Sequence, residues 1–189
     1  MNSLRCAAVA ALVLLAPPAA AQDSILSEVR AGFSFEGVEL DEQFLLLPTT
    51  IPLDRPHKLS FELLFRSPEI DAFKWIGAPR PVIGATISTT GLESWASAGL
   101  SWHIPVFETP LFVEGTLGVA VHDGYLVDAP AGRRNFGCRG LLYEQVTLGA
   151  NLSETMTASV NFEHGSHAWL CGQTNDGFNS VGFRLGYKF

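Results

Sequence analysis

The last nine residues of the chain alternate without a break. Val181, Phe183, Leu185, Tyr187 and Phe189 are large and apolar, and Gly182, Arg184, Gly186 and Lys188 stand between them. A period of two assigns the two sets to opposite faces of a β-strand, because successive side chains leave a pleated backbone on opposite sides. The same pattern occupies 156–166, where Ala158, Val160, Phe162, His164 and Ser166 share a face opposite Thr157, Ser159, Asn161 and Glu163. Comparable stretches lie at 29–35, 59–65, 81–88, 94–102, 111–121 and 142–152. The sequence therefore predicts eight strands, each about as long as a tilted strand needs to cross a bilayer. Beyond residue 21 no apolar run approaches the roughly 20 residues of a spanning helix, which excludes a helical membrane protein.

Periodicity alone leaves two arrangements open. A soluble all-β domain would turn its apolar face inward. A membrane barrel would turn that face to lipid and fill its narrow lumen with the opposite set, which carries Glu62, Glu114, Glu163 and Arg184 among Gly, Ser and Thr. Three features favour the membrane. The first is the N-terminus: Arg5, an apolar stretch over 6–16, Pro17-Pro18 and the small residues Ala19-Ala20-Ala21 read as a secretory signal peptide cleaved after Ala21. Cys6 stands at the very start of that stretch, ahead of its apolar core, where a lipidated cysteine does not sit. The second is composition, because the chain beyond the leader is acidic and rich in glycine, with 18 Gly. Only 16% of all residues are charged while 47% are hydrophobic, which excludes a disordered chain. The third is the ending at Phe189 with Tyr187 two before it, which resembles the terminal strand of bacterial outer-membrane barrels. The expectation is an all-β fold, an eight-stranded antiparallel transmembrane β-barrel of the bacterial outer membrane over 22–189. Val160, Phe162, Leu185 and Tyr187 should face lipid, and Glu163 and Arg184 the lumen. A net charge of −7 excludes a nucleic-acid partner, which requires a basic face.

With both termini periplasmic, segments 36–56, 89–93, 123–140 and 167–178 fall outside the cell. Cys138 and Cys171 lie on the last two, and an even pair in an exported chain predicts a disulfide between those loops. Trp75, Trp95 and Trp102 are expected as girdle or core aromatics. His57, His103 and His122 stand alone, without metal-ligand spacing. No metal and no cofactor is implied.

His164 and Ser166 are two apart and share the face that the barrel turns to lipid. Polar groups there are costly unless paired, so either they sit in the headgroup zone or they do chemistry. The segment Phe162-Glu163-His164-Gly165-Ser166-His167-Ala168, followed by Asn175-Asp176-Gly177-Phe178-Asn179 and a terminal strand, resembles the PagL lipid A 3-O-deacylase family over 162–189. Members of that family carry His-x-Ser-Asn-Ala on the penultimate strand, then a turn, then a third catalytic residue opening the last strand. The resemblance implies an outer-membrane serine esterase that removes an ester-linked 3-hydroxyacyl chain from lipid A of lipopolysaccharide. Ser166 would be the nucleophile and His164 its general base, since a hydroxyl attacks weakly until an imidazole takes its proton. Asn179 would orient the imidazole, and backbone N–H groups of His167 and Ala168 would receive the oxyanion.

Two positions depart from the family. His167 stands where asparagine is usual, and Asn179 where well-known members have glutamate, so the orienting group is neutral here. Asp176 is close enough in sequence to stand in for that charge. Glu144 and Gln145 are expected to support the site, and Arg133, Arg134 and Arg139 form a basic cluster that could hold a lipid A phosphate. Two competing functions remain in the sequence: a non-catalytic structural or adhesive barrel, and a lipid acyltransferase of similar architecture. The oligomeric state, monomer or homodimer, also stays open.

Overall fold

A computed structural model describes residues 24–40, 48–50 and 57–189. The expected leader 1–21 and much of the expected first outer loop lie outside the described residues. Eight antiparallel strands close a barrel: β1 (Leu26–Glu36), β2 (Lys58–Phe65), β3 (Arg80–Ser88), β4 (Trp95–Pro105), β5 (Leu111–His122), β6 (Gly140–Asn151), β7 (Met156–Ser166) and β8 (Phe178–Lys188). Each strand pairs with its neighbours in the chain, and β1 closes on β8 through pairs such as Val29↔Tyr187 and Phe33↔Phe183. Closure leaves no unpaired strand edge, the condition for a sheet to stand in lipid. Two additional short strands, Glu39–Leu40 and Pro48–Thr50, form a ribbon after β1.

The strands begin and end within a few residues of the alternating stretches. At β8 the strand starts at Phe178, three residues before Val181, because Phe178 and Asn179 already pair with Gly165 and His164. A helical turn, α1 (Asp71–Trp75), interrupts the β2–β3 connection and was not signalled by periodicity. It is pinned to β4 by the Trp102 indole N–H, which donates to the Ile76 carbonyl (2.7 Å). Trp75 is exposed on α1, and Trp95 is buried in the core.

Alternation sorts the wall as the barrel requires. Val160 and Leu185 are exposed on the outer surface, with Phe162 and Tyr187 half-buried beside them, whereas Glu163 and Arg184 are buried in the lumen. The lumen charges are cross-paired. Arg30 donates to both oxygens of Glu28 (2.9 Å each) and to Glu114 Oε2 (2.6 Å). Arg184 donates to Glu62 Oε1 (2.8 Å), to Gln145 Oε1 (3.0 Å) and to Glu163. Arg80 bridges Glu28 (3.0 Å) and Glu114 from the edge of the network. Buried ions are tolerable only when paired in this way.

The lumen ends, toward the loops, in a packed aromatic cluster of Trp95, Phe136, Tyr143 and Phe178 with Leu141 and Ala120. Trp95 stacks on Phe178 with ring centroids 3.9 Å apart, and the Lys58 ammonium lies 3.9 Å from the Trp95 ring on its way to Glu36 (2.6 Å). Above the cluster, Cys138 and Cys171 are joined by a disulfide, with Cα atoms 5.9 Å apart. It ties the β5–β6 loop to the β7–β8 loop and so braces the rim where β7 ends.

Candidate active site

His164 and Ser166 close β7, and Asn179 opens β8. The register pairs Asn179 directly with His164, and both point outward. Asn179 Nδ2 donates to the Val38 carbonyl (3.3 Å), which turns its amide oxygen toward His164. That oxygen can only accept, so the imidazole presents a protonated Nδ1 to it at 2.7 Å. Nε2 is then the bare nitrogen, and it faces the Ser166 hydroxyl at 3.1 Å. The imidazole thus stands between an acceptor that fixes its tautomer and a hydroxyl whose proton it can take. All three side chains are partly exposed on the outer wall.

Local sequence explains how the row is held. Gly165 sits between His164 and Ser166 with its face to the lumen, and a Cβ there would run into the Phe178 ring. The aromatic cluster can therefore press against the backbone of the row. Gly177, at φ +59°, packs onto the same backbone: a Cβ would stand 2.8 Å from the Gly165 carbonyl and 3.3 Å from Ser166 Cβ. Only glycine combines that conformation with that approach.

Just beyond Ser166 the chain makes a tight turn. Leu170 N–H donates to the His167 carbonyl (2.9 Å), and the central residues Ala168 and Trp169 hold φ of +48° and +63°. This is the type I′ pattern, ordinarily supplied by glycine or asparagine. Neither Ala168 nor Trp169 N–H has a hydrogen-bond partner among the described residues.

The remaining sequence candidates divide. His167 N–H is not open to an oxyanion, because it donates to Asn175 Oδ1 (3.1 Å). Its buried ring is equally occupied, with Nε2 against the Thr174 carbonyl (2.6 Å) and Nδ1 accepting from Cys171 N–H (3.3 Å). The Asp176 carboxylate accepts from Asn135 N–H (2.6 Å) instead of approaching the imidazole, so it fastens two loops together. Gln145 faces the lumen, bonded to Tyr143, Thr147 and Arg184. Glu144 faces outward and is the direct partner of His164 across β6–β7.

The three arginines do not gather into one anion cradle. Arg133 donates to the Gly91 carbonyl, Arg139 to those of His122 (2.8 Å) and Gly124 (2.9 Å), and Arg134 to that of Gly177 (3.0 Å) while pairing with Glu36 (3.1 Å). They clamp loops by their carbonyls. Among the described residues no group of three or more His, Cys, Asp or Glu is placed to hold a metal ion.

Sequence reasoning missed three contributors: the Val38 carbonyl, the Gly177 contact and the positive-φ turn. Gly177 carried a signal, as a glycine one residue before a strand. The other two depend on tertiary approach and on a backbone conformation that Ala and Trp rarely adopt.

A family model for lipid A 3-O-deacylase (PagL) matches residues 72–188. Among solved structures, the chain is similar to the outer membrane enzyme PagL, with a TM-score of 0.57 and 18% identity, covering 86% of this chain and 100% of that one. It is also similar to the N-terminal β-barrel domain of Pseudomonas aeruginosa OprF, with a TM-score of 0.54 and 10% identity, covering 88% and 98%. No curated protein matches the sequence. The structural likenesses establish the fold, an outer-membrane eight-stranded barrel, and fold alone does not give an activity. The family match extends from α1 to the end of β8, taking in the whole His164–Ser166–Asn179 row, and the chain belongs to the PagL lipid A 3-O-deacylase family.

Proposed function

We propose that this protein is a serine esterase that removes an ester-linked 3-hydroxyacyl chain from lipid A. The observation that carries the reading is the imidazole of His164, hydrogen-bonded at once to Asn179 Oδ1 and to the Ser166 hydroxyl on the outward side of a lipid-facing wall. A polar row in that position has little structural use, but it lies where the ester of an embedded lipid would pass.

The chemistry follows from the geometry. His164 Nε2 takes the Ser166 proton as Oγ attacks the ester carbonyl. The tetrahedral oxyanion is received by the N–H groups of Ala168 and Trp169, which have no partner among the described residues. The imidazolium returns the proton to the departing sugar oxygen, leaving an acyl-serine, and water repeats the sequence to release the fatty acid. The departing chain has a bed on the same wall. Phe33, Val160, Phe183 and Leu185 border an apolar groove of about 800 Å³. Val160 lies four residues below His164, a run of roughly 13 Å at about 3.3 Å per residue.

Mass spectrometry of lipid A from cells expressing the wild type or Ser166→Ala tests this reading. The expected result is loss of one hydroxyacyl mass with the wild type and unchanged lipid A with the variant. Unchanged lipid A in both, with the barrel correctly folded, favours a structural surface protein. A gained acyl chain favours a transferase.

A further inference from the structure

We infer that Glu144 is a positioning residue that supplies, from the β6 side, the negative charge that Asn179 withholds from the β8 side of His164. The inference rests on the esterase reading and deepens it.

The sheet register is the first observation. Glu144, His164 and Asn179 lie in one row across β6, β7 and β8, with His164 in the middle. Directly opposed antiparallel residues hold their Cβ atoms roughly 4.5–5.5 Å apart, within reach for two long side chains. Asn179 takes one side of the imidazole and carries no charge. Glu144 takes the other.

The surroundings of Glu144 are the second. On its own strand the outward neighbours are Leu142 and Val146; across β5 its partner is Leu117. On β7 the flanking outward residues are Phe162 and Ser166. None of these is basic. The Glu144 carboxylate has no hydrogen bond or ion pair among the described residues, and it borders a shallow apolar groove with Trp102, Ile104 and Leu117. Of the side chains facing it from β5, β6 and β7, His164 is the one able to become a cation. A lone carboxylate on an apolar outer wall is costly to maintain, and it gains its partner at the moment His164 takes the serine proton.

The groups around His164 are consistent with that assignment. From β8 there is neutral Asn179. From the loops, Asp176 is engaged by Asn135, Arg134 by Glu36 and the Gly177 carbonyl, and His167 is turned inward. Glu144 is thus the carboxylate left to offset an imidazolium at this position, and apolar surroundings strengthen the attraction over its value in water.

The test uses the full-length protein in detergent micelles with purified lipopolysaccharide, quantifying released 3-hydroxy fatty acid against pH. Heat-dependent gel mobility checks that each variant is folded. Glu144→Gln should lower kcat by roughly tenfold with little change in KM, the size of one well-placed charge interaction. Glu144→Asp should restore part of the rate. In an Asn179→Glu background, where charge is present on the other side, adding Glu144→Gln should cost much less than tenfold. The inference is overturned if wild type is active, Ser166→Ala is dead, and Glu144→Gln matches wild type in both kcat and KM. An inert wild type, or an active Ser166→Ala, overturns the esterase reading and this inference with it.

Discussion

The lumen and the outer wall of this barrel treat polar side chains in opposite ways. Inside, Arg30 and Arg184 each bind more than one carboxylate, contributed by strands on different sides of the barrel. Outside, the row of His164, Ser166 and Asn179 is a short chain of hydrogen bonds running from the Val38 carbonyl to a serine hydroxyl whose oxygen is still free to react. The lumen network pairs cation with carboxylate across the barrel and stabilises the fold. The outer row is open at one end, facing the lipid. Cross-paired charges mark structural groups and an open end marks a reactive one.

Breaking the open row should cost the most. His164→Ala removes the base and the tautomer relay together, and deacylation should fall by about 10³-fold or more while the barrel folds normally. Initial rates of fatty-acid release together with gel mobility check both halves. An unaltered rate would place the reaction elsewhere on the wall.

Breaking the lumen network should affect a different quantity. Arg184→Met leaves the Glu163 carboxylate buried without its cation and Glu62 with only the more distant Arg30 (3.7 Å), so the barrel should lose about 3–5 kcal/mol against urea in lipid bilayers. The rate per folded molecule should stay near that of wild type. A variant that unfolds at the same urea concentration as wild type but has lost activity would reverse the assigned roles of the two regions.

The smallest effect belongs to the neutral orienting residue. Asn179→Ala removes one hydrogen bond to the imidazole, worth about 1 kcal/mol, and the rate should fall by roughly fivefold. A loss as large as that of His164→Ala would mean that Asn179 does more than orient.

The same contrast explains what the sequence revealed. Alternation decided which residues go inside and which outside, because a strand has no third option. It put His164, Ser166 and Asn179 on one face, and neighbouring strands brought them into one row. Parity also held information about Glu144 and Gln145: adjacent residues in a strand must face opposite ways, and the structure turns Gln145 to the lumen network. What alternation cannot encode is the company a loop residue keeps. Arg133, Arg134 and Arg139 cluster in sequence yet diverge onto separate carbonyls, and the His167 amide is taken by Asn175, eight residues ahead. The Val38 carbonyl that aims Asn179 comes from the far side of the β1–β8 seam, with nothing in its own residue type to announce the role.

The central claim is that Ser166 is a nucleophile activated by His164 on the lipid-facing wall. Intact-mass measurement after treating the detergent-solubilised protein with a fluorophosphonate tests it most directly. The account predicts a single adduct that maps to Ser166 and disappears in His164→Ala. A protein that hydrolyses lipid A but carries no adduct, or carries it on another residue, would contradict the account.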